Sequence, residues 1–309
     1  MKKTILPLVA ICTIACGGSN TNNTTSTNSI VDSLSTASTA DESNAVEEIP
    51  GDVLSIFADF PNMATTAKSG EYILIPAYKM LQKYAEEQNS TVIYYNAKMA
   101  TPAEINSKVA FTFDGEQEVP NHLIIPIAAG QKVAKGDIVL TWWQSGSGMQ
   151  RALVTDATNP DAPEVHYLDI DWDNPAKNKA VSIGQLKETI KPNTFTKLTD
   201  LWQSGTTVAA MDGMSIKKFT IINVSNDKVL VKGFAGSMKM LDKSACTPLK
   251  VTNTVKVGDK IQAPWVGSFK NGTIKELKSD YGRAVIEFDD LKDKLYVVPL
   301  GDITTGLVL

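Results

Sequence analysis

Residues 257–265 read VGDKIQAPW, and the same order of a glycine, an acidic residue and a largely apolar run occurs twice earlier in the chain. The earlier copies are GEYILIP at residues 70–76 and GDIVLTW at residues 136–142, and a weaker copy, GTTVAA, occupies residues 205–210. A glycine–acid pair is typical of a turn, and the partial alternation after it predicts a half-buried strand. The recurrence therefore predicts a chain built from repeated β units.

Two further strands are predicted after each of these starts. The second strands read YNAKM, QRALV, KKFTI and KNGTI, at residues 95–99, 150–154, 217–221 and 270–274. A third strand follows a turn in each unit, at residues 109–113, 165–169, 229–232 and 284–288. Each unit is thus expected to form a small antiparallel sheet of short strands.

A sheet of so few short strands must bend to hide its apolar face and its edges. We therefore predict a mainly β chain of four tandem small, bent β-barrels, the third of them divergent, at residues 51–128, 129–192, 193–250 and 251–309. Residues 78–88 carry apolar side chains at helical spacing, which predicts a short helical insertion in the first barrel.

Residues 1–15 have the features of a secretory signal peptide. Lys2 and Lys3 precede a short apolar run that is too short to span a bilayer as a helix. Residues 13–17 read TIACG and resemble the lipobox of bacterial lipoproteins. The resemblance implies cleavage after Ala15 and acylation of Cys16, for example with palmitate. The alternative is a plain signal peptide with two incidental cysteines.

The segment after Cys16 predicts a tether. Residues 19–29 are all Ser, Thr or Asn, so residues 16–50 are expected to be a disordered linker between a membrane and the folded body. More than one acyl chain gives stable anchoring, and the lipoprotein modification supplies them. Gly17, rather than Asp, follows the cysteine, which resembles export to the outer membrane. We expect an exported, lipid-anchored protein that faces the periplasm or the cell surface.

Charge and composition exclude several function classes. The chain has 30 Lys+Arg and 34 Asp+Glu, a net charge of −4 that becomes −6 if Lys2 and Lys3 leave with the signal peptide. No nucleic acid partner is therefore expected, and the sparse lysines, such as Lys217 and Lys218, are expected to be solvated. Two histidines leave little material for His-based catalysis, and no cofactor is predicted.

The starts at residues 257–265 and 135–143, with VHYLD at residues 165–169, are similar to the Tudor/Agenet group of small barrels, which is related to the Src-homology-3-type barrel. Members of this group are binding modules, and many hold a modified Lys or Arg in an aromatic cage. The resemblance implies a candidate aromatic site, while the alternative is that the rings fill the barrel interiors. The rings in question are Trp142, Trp143, Tyr167, Trp172 and Trp265.

Residues 169–174 read DIDWDN and look like the opening of a calcium loop, with carboxylates at alternate positions. The sixth position is Asn174 instead of Gly, and the twelfth is Ala180 instead of Glu. A solvated acidic strand end is therefore the favoured interpretation. The ligands to test for a metal are Asp169, Asp171 and Asp173.

No catalytic residue is predicted. Neither His122 nor His166 lies near a Gly-x-Ser-x-Gly elbow. The sequence thus favours a membrane-anchored lipoprotein that acts as a non-catalytic binding or scaffold module of the cell envelope, with a protein, peptide, peptidoglycan or other cell-wall ligand. The alternatives are an envelope hydrolase with a carboxylate-based site and a purely structural envelope component.

Overall fold

The computed structural model of the protein describes residues 51–88, 90–170 and 187–308, and this part of the chain is mainly β. The prediction of a mainly β chain is therefore confirmed. Several predicted features lie outside the described residues, namely the signal peptide, Cys16, the tether, Asp171, Trp172 and Asp173. Among the described residues, no helix has the length and apolar character needed to span a membrane.

The first sheet contains five antiparallel strands. They are β1 (Tyr72–Pro76), β2 (Tyr94–Thr101), β3 (Asn106–Phe111), β4 (Gly115–Pro120) and β5 (Ile125–Pro126). Their order is β4-β3-β2-β1-β5, so the last strand returns to pair with the first. Helix α1 (Tyr78–Glu87) connects β1 to β2 at the position that the apolar spacing predicts, and it buries Leu81 and Tyr84.

The second sheet repeats this arrangement with five more strands. They are β6 (Ile138–Trp142), β7 (Met149–Asp156), β8 (Glu164–Tyr167), β9 (Lys187–Thr189) and β10 (Thr196–Lys197). Their order is β10-β6-β7-β8-β9, and the last strand again lies beside the first.

The third sheet has nine strands and contains two further units. The first unit comprises β11 (Thr207–Asp212), β12 (Ser215–Val224), β13 (Lys228–Lys232), β14 (Met238–Asp242) and β15 (Cys246–Pro248). The second comprises β16 (Lys260–Trp265), β17 (Ser268–Lys278), β18 (Arg283–Phe288) and β19 (Tyr296–Pro299). In each unit the chain returns to the first strand, through β15 on β11 and through a bridge from Thr304 to Gln262 of β16. The pair Lys217 and Ser268 links β12 to β17.

Short 3₁₀ turns connect some of these strands. They cover Val53–Ser55, Asn121–Leu123, Phe234–Gly236, Lys243–Ala245, Ser279–Tyr281 and Leu300–Asp302. In three units such a turn immediately precedes the segment that pairs with the first strand of the unit. The repeat therefore includes this returning segment.

The glycine at each start forms the same turn in every unit. The four glycines have φ between +82° and +93°, which glycine adopts without a steric penalty, and they are Gly70, Gly136, Gly205 and Gly258. Each donates its N–H to a carbonyl of the second strand, at Met99, Val154, Ile221 and Ile274. In three units the acid after the glycine accepts the backbone N–H three residues earlier, as Asp259 does from Lys256 at 2.8 Å. This geometry explains why the pair recurs.

The second strand of every unit bulges directly after that contact. The register of β2 on β3 shifts between Met99 and Thr101, and that of β7 on β8 shifts between Val154 and Asp156. The strands β12 and β17 shift at the equivalent places. A bulge bends its strand and increases the local twist, so all four units curve at the same point.

Within the described residues the curved sheets do not close into barrels, so tandem Tudor-type barrels, and a helical insertion in one of them, are not confirmed. Three units keep a smaller apolar cluster of their own. The largest cluster, however, draws on all three sheets and includes Leu74 of β1, Leu140 of β6 and Ile222 of β12. The apolar faces are thus covered partly by neighbouring sheets, which removes the need for each sheet to close on itself.

Candidate functional site

A cleft of about 410 Å³ is lined by both the second and the third sheet. Alternate residues of a strand face the same side, which places Lys218 and Thr220 of β12 together on its wall. The strands β7, β13 and β18 and two loops contribute the other charged side chains. The ionisable residues of the lining are Arg151, Asp169, Lys218, Lys232, Arg283 and Asp302.

Arg151 lies at the centre of a buried ion-pair network. Its Nη2 atom is 2.5 Å from Oδ1 of Asp169, and its Nη1 atom is 3.0 Å from Oδ1 of Asp302. Nη1 also donates to the Thr207 hydroxyl at 3.2 Å. The side chains of Arg151 and Asp302 are only 6% and 1% exposed, so these charges are held almost without water. The planar guanidinium suits this role because its donors can contact two carboxylates at once.

Lys218 supplies the second cation that the two carboxylates require. Its Nζ atom lies 2.5 Å from Oδ2 of Asp302. Burial alone would raise the pKa of Asp302, but the charges of Arg151 and Lys218 outweigh it and lower the pKa below its usual value. Burial of Asp169 is likewise outweighed by Arg151, which lowers the pKa of that carboxyl. Both carboxyl groups are therefore ionised at neutral pH and balance the two cations.

Two further cations line the cleft. Lys232 is half-buried, and no carboxylate of the described residues forms an ion pair with its ammonium. Burial lowers the pKa of Lys232, although the charge of Asp169 opposes the shift. Arg283 is buried and donates from Nη2 to the carbonyl of Tyr167 at 2.9 Å. Arg283 therefore takes part in the packing of the cleft wall, and Lys232 is the lining cation for which the described residues provide no ion pair.

Two apolar side chains of the cleft lining remain open to solvent. Phe234 is 61% exposed and Val266 is 57% exposed. Phe234 begins a 3₁₀ turn, and Val266 lies in the hairpin turn between β16 and β17. The two loops touch, because a Cβ atom added to Gly267 would lie 2.6 Å from the Cβ of Phe234. The lining therefore combines Lys232, which forms no ion pair with the described residues, with exposed apolar surface.

Two of the rings predicted for an aromatic site are buried in the core. Trp142 tilts against Tyr72 with the ring centroids 5.1 Å apart. Tyr167 donates its hydroxyl to Glu188 at 2.6 Å and is enclosed by its own sheet. Neither ring offers an open face to a ligand in this structure.

Trp143 and Trp265 are half-buried, and Trp143 directly follows β6 of the second sheet whereas Trp265 ends β16 of the third. The Nε1 atom of Trp143 donates to Ser145 at 2.8 Å, and the loop folds so closely that a Cβ on Gly146 would lie 2.3 Å from the ring. Trp265 has the ammonium of Lys270 at 5.1 Å from its ring centroid. The two rings belong to separate apolar clusters, so the described residues form no common cage from them. An aromatic site at either ring stays a prediction.

The metal prediction concerns three aspartates, of which one is described. Asp169 accepts hydrogen bonds from the side chain and the backbone N–H of Arg151. In the part of the chain that the structure covers, no three His, Cys, Asp or Glu side chains group in a way that could hold a metal. Calcium binding by Asp169, Asp171 and Asp173 stays a prediction.

The surroundings of Cys246 and His122 are those of buried, structural side chains. Burial raises the pKa of the Cys246 thiol, which keeps it in its unreactive form at neutral pH. The Nε2 atom of His122 lies 2.7 Å from the carbonyl of Ile56, and burial lowers the pKa of the ring. Neither side chain lines the cleft.

The sequence did not point to this cleft. Lys218 is expected on a solvated surface, and this expectation is wrong because its ammonium contacts the buried Asp302. A usable signal was present, however. Arg151 and Arg283 each stand directly before an apolar run, at RALV and RAVI, and a charge inside a buried strand requires a partner.

The chain matches no known family model, and none of the curated proteins with which it was compared is similar to it. The residues of the cleft are then the basis on which a function can be assigned.

Proposed function

We propose that the protein is a non-catalytic binding module of the bacterial cell envelope, and that the cleft holds its ligand. The observation that carries this proposal is Lys232, a half-buried cation on the wall of the cleft that forms no ion pair with the described residues. Burying a charge without a partner is unfavourable. A ligand that supplies an anionic group would compensate this cation, which gives the cleft a reason to bind one.

The carboxylates of the cleft support binding rather than hydrolysis. A general acid requires a pKa raised toward the working pH. In contrast, the pKa values of Asp169 and Asp302 are lowered, because Arg151 favours the ionised form of both. A hydrolase that used this pair would need one of the two protonated.

We also propose that the four units are relatives of the Tudor/Agenet and Src-homology-3-type barrels, opened here to share a core. Three recurring features support this relationship: the glycine turn, the bulge in the second strand, and the return of the chain to the first strand. Those barrels are binding modules, and the bacterial envelope relatives bind peptidoglycan peptides. A protein, peptide or cell-wall ligand fits both the compartment and the cleft.

Lipid on Cys16 is proposed to anchor the protein to a bacterial membrane, and Gly17 favours the outer membrane. The support is the sequence TIACG followed by the polar residues 19–29. Expression of the full chain in a diderm bacterium, with radioactive palmitate and separation of the two membranes, tests this anchor. Cys16→Ser should lose both the label and the membrane association, whereas the matched Cys12→Ser variant should keep them. Labelled, membrane-bound Cys16→Ser protein would contradict the proposal.

Capture from solubilised cell envelope tests the binding function. The immobilised full chain should retain an envelope component that Lys232→Met does not retain. The matched control is Lys79→Met, which removes an 83% exposed lysine of α1 and should behave as the wild type. If the wild type retains nothing, the binding function is wrong, and equal retention by Lys232→Met would remove the cleft from the proposal. Loss in a Trp143→Ala, Trp265→Ala variant alone would assign the ligand to the rings.

A further inference from the structure

We propose that the cleft recognises a carboxylate attached to an apolar group, such as the carboxy terminus of a peptide or a fatty acid. This inference rests on the proposed binding function. The carboxylate accepts hydrogen bonds from the Lys232 ammonium, and the apolar group lies against Phe234 and Val266. All three residues line the same cleft. This inference names the ligand chemistry that the proposed function leaves open.

The charge distribution selects a single negative charge. Arg151 and Lys218 are neutralised by Asp169 and Asp302 through contacts of 2.5 to 3.0 Å. Arg283 is buried and already donates to the carbonyl of Tyr167. Among the described residues of the lining, Lys232 is then the cation that no carboxylate pairs with, and its single positive charge matches the single negative charge of one carboxylate.

The apolar part of the ligand follows from the exposed side chains beside this cation. Phe234 lies two residues after Lys232, and both it and Val266 expose more than half of their surface. Their loops are held together by the close approach of Gly267 to Phe234, so the two side chains form one surface. A ligand whose apolar group covers Phe234 and Val266 removes apolar surface from water, and this burial favours binding. The cleft, at about 410 Å³, is near the lower end of typical ligand pockets and suits a small group.

The backbone of the same surface is strained, which is an independent observation. Val266 and Gly267 form the two-residue turn between β16 and β17, with φ of +48° and +80°. Such a turn strongly prefers Asn-Gly, and a β-branched residue with positive φ is a genuine outlier. Ala235, next to Phe234, also has a positive φ of +55°. Strained residues concentrate at functional sites, where the side chain or the loop shape compensates for their cost.

Calorimetric titration of the full chain with four probes tests the inference. The probes are N-acetyl-Leu-Leu, its carboxamide, octanoate and inorganic phosphate. N-acetyl-Leu-Leu should bind, and the carboxamide should bind at least about tenfold more weakly, because it lacks the charge that pairs with Lys232. Stronger binding of the peptide than of octanoate identifies a peptide terminus as the source, and the reverse order identifies a fatty acid. Phosphate should not compete with either.

Two variants assign the binding to the proposed residues. Lys232→Met should weaken N-acetyl-Leu-Leu by about tenfold or more and remove the preference over the carboxamide. Val266→Asn should also weaken binding, yet raise the thermal midpoint, because Asn relieves the turn. Since Val266→Asn is expected to fold better than the wild type, its loss of binding cannot be attributed to unfolding. The Lys79→Met variant should bind every probe as the wild type does.

Three results would overturn the inference. They are equal affinity for N-acetyl-Leu-Leu and its carboxamide, unchanged binding of N-acetyl-Leu-Leu by Lys232→Met, and displacement of N-acetyl-Leu-Leu by phosphate. These failures are distinguishable from failure of the proposed function. If no probe binds, but Lys232→Met still loses the envelope component that the wild type captures, the ligand chemistry is wrong and the binding cleft stands. If the capture also fails, both proposals fall.

Discussion

Arg151 of the second sheet contacts Asp302, in a turn next to the third sheet, through a distance of 3.0 Å from Nη1 to Oδ1. Asp302 is also contacted by Lys218 of β12, so one buried carboxylate joins two cations from different sheets. The contact fixes one wall of the cleft, on which Lys232 forms no ion pair with the described residues. The shape and the charge of the cleft therefore depend on the same pair.

Removing Arg151 should be severely destabilising. An Arg151→Met substitution leaves Asp169 and Asp302 without their shared partner, and breaking a buried pair on one side costs about 3–5 kcal/mol. Urea denaturation should show a loss of this size, whereas Lys79→Met should change the free energy of unfolding by less than about 0.5 kcal/mol. A loss below about 1 kcal/mol for Arg151→Met would mean that the network contributes little.

The network should also make the protein sensitive to acid. The pKa of Asp302 is lowered from its usual value of 3.8, because Arg151 and Lys218 outweigh the effect of burial. The stability that this carboxylate contributes is present above its usual pKa and is lost as the pH falls below that value. Thermal midpoints measured from pH 7 to pH 2.5 should fall steeply below about pH 4. The fall should be smaller in Asp302→Asn, and identical pH profiles would contradict this role.

His122 should add a second pH dependence at higher pH. Burial lowers the pKa of its ring below the usual 6.5, against the opposing hydrogen bond with Ile56. The unfolded chain then takes up a proton before the folded one does, so stability is complete above pH 6.5 and declines below it. The decline cannot exceed about 1.4 kcal/mol per pH unit for one proton. Urea midpoints between pH 7 and pH 5 should depend less on pH in His122→Gln than in the wild type. An unchanged dependence would exclude His122 as a source of the pH dependence.

The glycine turns should respond to substitution through the backbone alone. A Cβ atom on Gly136 or Gly258 meets nothing within 4 Å, but their φ values of +93° and +92° are unfavourable for alanine. Each alanine substitution should therefore cost about 1–3 kcal/mol of unfolding free energy. Similar thermal midpoints for Gly136→Ala and the wild type would mean that the turn tolerates a side chain.

In the strand β17, Gly272→Ala should destabilise the protein through a clash instead, because the added Cβ would lie 2.8 Å from the carbonyl oxygen of Glu287.

The repeated strands could be predicted because their causes are local. The turn glycine, the acid that accepts a backbone N–H and the apolar run all lie within a few residues, as at Gly258, Asp259 and Ile261. Such a pattern is visible in the sequence and leads directly to β1, β6 and β16. The helix α1 is also local in origin, since its buried side chains recur at helical spacing.

The shared core and the cleft could not be predicted because their contacts are distant in sequence. From the sequence of one unit, closing the sheet on itself is the evident way to bury its apolar face. In the structure, however, Leu140, Ile222 and other residues of different sheets bury one another. The same reason explains why Trp142 is buried against Tyr72. The cleft depends on Arg151 meeting Asp302, 151 positions later in the chain, and no periodicity records such a pair.

Chemical-shift mapping of the full chain with N-acetyl-Leu-Leu tests the central claim most directly, because it locates the ligand without a substitution. The account predicts that the amide signals that shift most belong to residues 232–234 and 266–267, with smaller shifts near Asp302. Shifts centred on Trp143 or Trp265, or no shift at the cleft, would contradict it.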